Sequence, residues 1–442
     1  MATESISSEA TLSSASSTRD KGFTRHDPHI WGIYIVLIII SVIELYSASS
    51  REVTGSGMGV VMPIVRHMAM LFGGLGIMLF LEKLHYRHFY FWSLVFVLVS
   101  VLSMIYVYFF GAVINGARRS ILIAGFQLQP AEFIKFSAVL VTAFVASRTQ
   151  MKGGGVTNKG VMIMAATVLL FGLMLIKQGL TNTLLLMGIS LSMFLIAGVQ
   201  FKKLLIVLGV YGVCFAMFVG VLTFMESRHE SNDTGNQAKT EQVDNKKDKL
   251  RVETWINRFT RHQGDGRPKY ELPINADNRQ EMLSYIAQAN GGISGVLPGN
   301  SRETARLPLA FSDYIYAIIV EDLGLWGGLL VLVLYLWLMM RASAIAARCT
   351  RCFPALLVLG MAVLIAIQAL FHMAIVTGFA PVSGQPLPLI SKGGSSIIVT
   401  SLAFGVMLSV SRHTARSGKR QDVNRELSEL PDDLKAANPT RI

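Results

Sequence analysis

The chain contains about ten apolar stretches long enough to cross a bilayer, each needing about 20 residues, and no other feature constrains it as strongly. They begin near Trp31, Met68, Phe89, Phe133, Val161, Leu184, Leu204, Tyr314, Leu356 and Ile397. Hydrocarbon offers no water to backbone N–H and C=O groups, so spans of this kind close their hydrogen bonds internally, as helices. The expected fold is an all-α polytopic membrane protein with about ten transmembrane helices. Composition agrees: of 442 residues, 52% are hydrophobic and 15% charged, too apolar a mixture for soluble domains.

Short loops carrying Lys83 and Arg87, Arg148 with Lys152 and Lys159, Lys202 with Lys203, and Arg341 with Arg348 and Arg351 alternate with loops poorer in Lys and Arg. Basic loops stay in the cytoplasm, which places both tails there as well. The expected organisation is a polar tail over 1–29, helices 1 to 7 over 30–226 and a large extracytoplasmic loop over 227–312. Helices 8 to 10 follow over 313–412, then a second tail over 413–442. The net charge of +12 lies in clusters between apolar runs and forms no continuous stripe, so no nucleic-acid partner is expected. Glu44 interrupts the first run and a Ser-rich tail precedes it, so it reads as a retained span despite the cleavage-like Ser47, Ala48 and Ser49. Cys349 and Cys352 form a CxxC without a second ligand pair, and Cys214 lies in an apolar run, so neither a disulfide framework nor a metal centre is expected.

The large loop changes character along its length. Ser227 to Val252 is polar and charged and reads as flexible. Beyond it, Trp255, Ile256, Phe259, Tyr270, Leu272, Met282, Tyr285 and Ile286 offer surface for packing, while Gly291, Gly292, Gly295 and Gly299 imply tight turns.

Ionisable groups at membrane depth are costly, so those at the outer ends of spans are functional candidates. Asn115 to Arg119 leads to Gln129 to Lys135 at the opening of the fourth span. Glu132 and Lys135 share a helical face and either pair with each other or bind substrate. Arg118 and Arg119 run against the positive-inside tendency, and their planar donor forks suit a diphosphate. Gly299 to Asp313 contains Arg302, Arg306 and Asp313, the last standing where a helix begins, either as a cap or as a functional carboxylate. Glu321 and Asp322 interrupt the span that follows and read as structural charges paired with a neighbouring helix. From Gly378 to Ser396, prolines and glycines forbid a simple helix; Lys392, Ser395 and Ser396 then offer a cation and free amides to an anion, or ordinary capping. Lys177 and Gln178 are expected only to snorkel to the interface.

Taken together, these stretches resemble the SEDS family, the RodA/FtsW/SpoVE proteins of bacterial cell-wall assembly, in order across most of the membrane region. Asn115 to Arg119 with Gln129 to Lys135 carry the likeness, as do Gly291 to Asp322, Gly378 to Leu389 (GFAPVSGQPLPL) and Ser391 to Ser396 (SKGGSS). Departures are Ser120 where the family has Trp, Leu309 where it has Glu, Lys392 where it has Tyr, and Lys177 to Thr183 in place of a Pro-Asp stretch. The resemblance implies a peptidoglycan glycosyltransferase that polymerises lipid II at the outer face of the inner membrane. It would act beside a class B penicillin-binding protein, and Asp313 matches the family's essential loop aspartate. On this reading Asp313 takes a proton from the acceptor sugar, and undecaprenyl diphosphate leaves the lipid-linked glycan. Arg118, Arg119, Arg302 and Arg306 are candidates to hold the diphosphate. No cofactor is implied with certainty; a divalent cation stays open as an alternative aid to the diphosphate, although no carboxylate cluster marks a place for it. Rival classes are a lipid II flippase, which needs polar residues lining a path across the bilayer, and a non-enzymatic scaffold, which needs no placed carboxylate. Within the family, the polar N-terminal tail and chain length lean towards the division branch, at the septum with other division proteins, over the elongation branch.

Overall fold

The computed structural model describes residues 27–49, 61–114, 117–123, 126–151, 154–176, 178–233, 260, 273–275, 278–307 and 310–429. The expected flexibility over 234–252 and the apolar residues Trp255, Ile256, Phe259, Tyr270 and Leu272 lie outside these residues. The membrane helices are α1 (Pro28–Ser49), α2 (Val61–Lys83), α3 (His88–Phe110), α4 (Pro130–Arg148), α5 (Asn158–Ile176), α6 (Leu180–Ile196) and α7 (Phe201–Asp233). After a short α8 (Arg279–Gly291) and α9 (Ala310–Asp313) come α10 (Ile315–Ala347), α11 (Cys352–Val376) and α12 (Gly394–Glu429). Among the described residues nine helices are long and apolar enough to cross a membrane, and the tenth expected span, α6, is an apolar helix of 17 residues. The chain is thus a multi-pass α-helical membrane protein, as its apolar runs require. Helix α7 continues to Asp233, past the expected end of its span.

The apolar runs differ in what they face. In α4, α11 and α12 between 78% and 89% of the spanning window is buried, whereas α2, α3 and α7 bury no more than 22% of theirs. The first group forms the centre, and Phe91, Leu94, Leu98, Leu102 and Phe109 of α3 are exposed on the outside of the bundle, as lipid-facing side chains of a spanning helix would be. At one end of the bundle, Arg341 pairs with Asp27 at 2.7 Å, Tyr90 stacks on Phe353 at 3.9 Å and Ser409 donates to the Leu84 carbonyl at 2.6 Å. The short basic loops gather at this end.

The opposite end is built from non-helical chain. Between α3 and α4 runs an antiparallel meander of β1 (Ala112–Ile114), β2 (Ala117–Ile123) and β3 (Phe126–Leu128), with Val113 opposite Arg118 and Leu122 opposite Gln127. The apolar-run reading did not anticipate it, although Asn115–Gly116 between two short apolar segments is a strong hairpin signal. The expected order after residue 278 is present as α8, which buries Met282, Leu283 and Ala287 and gives Gln288 to the Val376 carbonyl at 2.8 Å.

Helix α10 is broken at Gly324, whose φ of 70° is open to glycine. The break frees the carbonyls of Glu321 and Asp322, and the amides of Val296 and Leu297 reach them at 3.0 and 2.9 Å. The backbone of α8 is equally close to α10: a methyl group on Gly291 would lie 1.9 Å from the Val320 carbonyl oxygen. Gly291→Ala should therefore force α8 away from α10 at a cost of about 1–3 kcal/mol. A melting temperature in detergent equal to that of the wild type would rule out this close contact.

Candidate active site

Asp313 closes the four-residue helix α9, and Tyr314, at φ −129° and ψ 19°, separates it from α10. The carboxylate does not cap α10, whose N-cap is Tyr314 and makes no side-chain cap bond, so the capping alternative is not what the fold adopts. Around α9, Leu307, Ala310 and Tyr314 pack with Leu283 and Ala287 of α8 and Val376 of α11. Against that apolar backing the half-buried Asp313 accepts a hydrogen bond from Ser312 Oγ to Oδ1 at 2.9 Å. Its other oxygen meets Gly384: a methyl group at that glycine would lie 2.7 Å from Oδ2.

Gly384 belongs to the proline-rich segment between α11 and α12, and the fold ties this segment down at many points. Ser391 Oγ donates to the Ser312 carbonyl at 2.8 Å and accepts from the Leu387 amide at 2.7 Å. The Lys392 amide donates to the Phe311 carbonyl at 3.0 Å, and its ammonium sits 4.1 Å from the centre of the Phe311 ring, a cation–π distance. Tyr335 of α10 donates to the Pro388 carbonyl at 2.6 Å, Ser41 of α1 to Ile390 at 3.0 Å, and His372 of α11 to Gln385 at 2.6 Å. Of the predicted residues, Lys392 is thus brought to the short helix that carries Asp313.

Glu132 and Lys135 are joined to each other, 2.7 Å apart and buried, and Gln368 of α11 donates to the second Glu132 oxygen at 2.8 Å. Arg119, on β2, reaches the start of α6: its Nη2 would lie 3.9 Å from a methyl group on Gly179, the N-cap of that helix. The Arg118 side chain lies outside what the structure describes. Arg306 is exposed and pairs with Glu303 at 3.3 Å. Arg302 is exposed too, its backbone amide bonded to Glu321 at 3.0 Å. Ser395 and Ser396 are buried in the first turn of α12, where a methyl group on Gly394 would lie 3.4 Å from the Gln127 carbonyl of β3.

Glu321 and Asp322 act as structural anchors. Glu321 accepts from Ser301 Oγ and from the amides of Arg302 and Glu303, and Asp322 accepts from Ser47 Oγ of α1, which accepts from the Gly299 amide. Gln178 does not snorkel: it is buried with Nε2 3.1 Å from Met104 Sδ, while Lys177 lies outside the described residues. Among the described residues no group of three or more His, Cys, Asp or Glu side chains is arranged for a metal ion. Sequence reasoning named Gly384 only as a helix breaker and Ser391 only as the start of SKGGSS, and it did not single out Gln368 or His372. A lone Gln and His in an apolar run, four residues apart, were the available signal for the last two.

The sequence model of a cell cycle protein family, FtsW/RodA/SpoVE, matches residues 28–416. A probable peptidoglycan glycosyltransferase FtsW of Geobacter metallireducens is 27% identical over 394 residues, 88% of this chain and 96% of that one. Peptidoglycan glycosyltransferase MrdB of Escherichia coli K12 is 28% identical over 392 residues, 88% of this chain and 94% of that one. Stage V sporulation protein E of Bacillus subtilis is 28% identical over 390 residues, 86% of this chain and 96% of that one. The fold is similar to a chain in a solved peptidoglycan synthase complex described as coordinating polymerization and crosslinking. The TM-score is 0.63 at 20% identity, covering 89% of this chain and 99% of that one. It is also similar to the rod shape determining protein RodA of Thermus thermophilus, with a TM-score of 0.57 at 18% identity over 88% of this chain and 97% of that one.

The buried pair predicts its own failure mode. Lys135→Met should leave Glu132 as an uncompensated charge and cost about 3–5 kcal/mol, while adding Glu132→Gln should recover most of the loss. Thermal unfolding of the single and double variants in detergent checks this; a double variant no more stable than the single one contradicts it.

Proposed function

The chain belongs to the FtsW/RodA/SpoVE family of cell cycle proteins, and from that membership we propose that it is a peptidoglycan glycosyltransferase which polymerises lipid II. The observation that carries the site assignment is the position of Asp313, at the end of the bundle away from the basic loops. Ser312 donates a hydrogen bond to its carboxylate there, and Gly384 stands close to the second oxygen. A carboxylate so placed can receive a proton from a sugar hydroxyl at the interface while the polyprenyl tails lie among lipid-facing helices.

In the proposed step Asp313 accepts the proton of the acceptor sugar's hydroxyl. The hydroxyl oxygen forms a bond to the anomeric carbon of the lipid-linked strand, and the bond from that carbon to undecaprenyl diphosphate breaks with inversion. Charge develops on the departing diphosphate, which needs preorganised donors. Arg119 beside the start of α6 supports a role for that region, because a cation and a helix N-terminus both favour an anion. Arg118, Arg302, Arg306 and Lys392 are the other cations proposed for it, with Glu132, Lys135, Ser395 and Ser396 in its surroundings.

The partner we propose is a class B penicillin-binding protein, because a relative of this fold is part of a peptidoglycan synthase complex. The location we propose is the bacterial inner membrane, with both termini cytoplasmic and the Asp313 end outside, because the basic loops gather at the other end. We assign the division role. A tagged chain at midcell supports it, and a side-wall distribution reverses it.

Purified protein supplied with labelled lipid II should yield glycan strands. Asp313→Asn should lower polymerisation by about 100-fold or more, the range for removal of a general base. Retained polymerisation by a folded Asp313→Asn protein overturns the base assignment, and translocation without polymer by the wild type makes the chain a flippase.

A further inference from the structure

We propose that His372 is a positioning residue for the Asp313 carboxylate, acting through the backbone of Gly384 and Gln385. The inference rests on Asp313 being the general base. His372 lies on α11 and is 1% exposed. The Gln385 carbonyl can only accept, so His372 Nδ1 carries the proton in their 2.6 Å bond. The residue before Gln385 is Gly384, the group that meets Asp313 Oδ2. The height of the His372 ring along α11 therefore sets how far Gly384 stands from the carboxylate.

Stability does not account for the imidazole. Among the described residues its Nε2 has no hydrogen-bond partner, nor has the Gln385 side-chain oxygen. An apolar side chain would leave the Gln385 carbonyl unpaired but would remove the unpaired Nε2, each at a cost of about 1–3 kcal/mol, so the two largely offset. What the ring supplies is a single directed N–H. With Ser312 on Oδ1 and Gly384 against Oδ2, the carboxylate is oriented from both sides. A rotation of the base or a displacement near 1 Å costs about 100-fold in rate.

The test is polymerisation of labelled lipid II by the full chain, with kcat and KM separated and the melting temperature measured for each variant. His372→Leu removes the N–H and should lower kcat by about 10- to 100-fold, with KM and melting temperature close to wild type. His372→Asn places an amide N–H at the same bond distance from the backbone as Nδ1 and should recover most of kcat. Should the Leu variant not fold, His372→Gln takes its place, since its amide is one methylene further out and should be slower than Asn. Wild-type kcat in His372→Leu overturns the proposal, as does equal kcat in the Asn and Gln variants or a loss in the Leu variant matched by a lower melting temperature. Absence of glycan from the wild type overturns the glycosyltransferase reading instead, so the two failures are distinguishable.

Discussion

Non-helical backbone inside the membrane region must find a donor for each carbonyl it exposes, and that requirement organises the Asp313 end of this molecule. The segment from Gly378 to Gly393 cannot close a helical ladder, because Pro381, Pro386 and Pro388 have no N–H to give. Yet Leu387, Leu389 and Ile390 within it are buried. Leaving a buried carbonyl unpaired costs on the order of 1–3 kcal/mol, so Ser41, Tyr335 and His372 on separate helices each supply a donor. Leu389 adopts a φ of 67°, a strained value for a side chain of its kind, directly between the carbonyls that Tyr335 and Ser41 hold. The surroundings over-determine that conformation, and the same rigidity places Gly384 against Asp313.

The break in α10 obeys the same rule by another route. Freed carbonyls at Glu321 and Asp322 take backbone amides from the GGISGVL segment, while the two carboxylates gather Ser301, Ser47 and the amides of Arg302 and Glu303. The connection between α8 and α9 is thus hung on buried acidic groups. Removing either carboxylate would leave buried donors unpaired, and these hydrogen bonds are what make the charges tolerable at a depth where isolated ones are costly.

The spans were legible because a long apolar run admits few structures in lipid: the starts expected at Trp31, Phe133 and Ile397 fall in α1, α4 and α12. The β meander was not, since hydropathy over long windows averages out strands of three to seven residues. At the site, Asp313, Lys392 and the Glu132–Lys135 pair were legible as charges out of place. The neighbours that orient Asp313 were not. Gly384, Ser391 and His372 act through backbone atoms across long sequence separations, and the type of a side chain does not reveal which carbonyl it will meet. The cap reading of Asp313 failed for a similar reason: local sequence allowed one helix start, while tertiary packing divided it into α9 and α10 at Tyr314.

The buried Glu132–Lys135 pair takes a place in the same scheme. Its mutual attraction offsets desolvation only roughly, so it adds little net stability, but it fixes geometry because breaking it is expensive. Gln368 brings α11 to that pair through the second Glu132 oxygen. One turn further along α11 stands His372, whose N–H goes to the Gln385 carbonyl. The axial position of α11 is therefore referenced to a charge pair on α4 and passed, one turn later, to the loop that meets Asp313. A displacement of α11 along its axis would have to break either the Gln368 or the His372 bond, so the placement of the carboxylate depends on the bundle interior as well as on its own short helix.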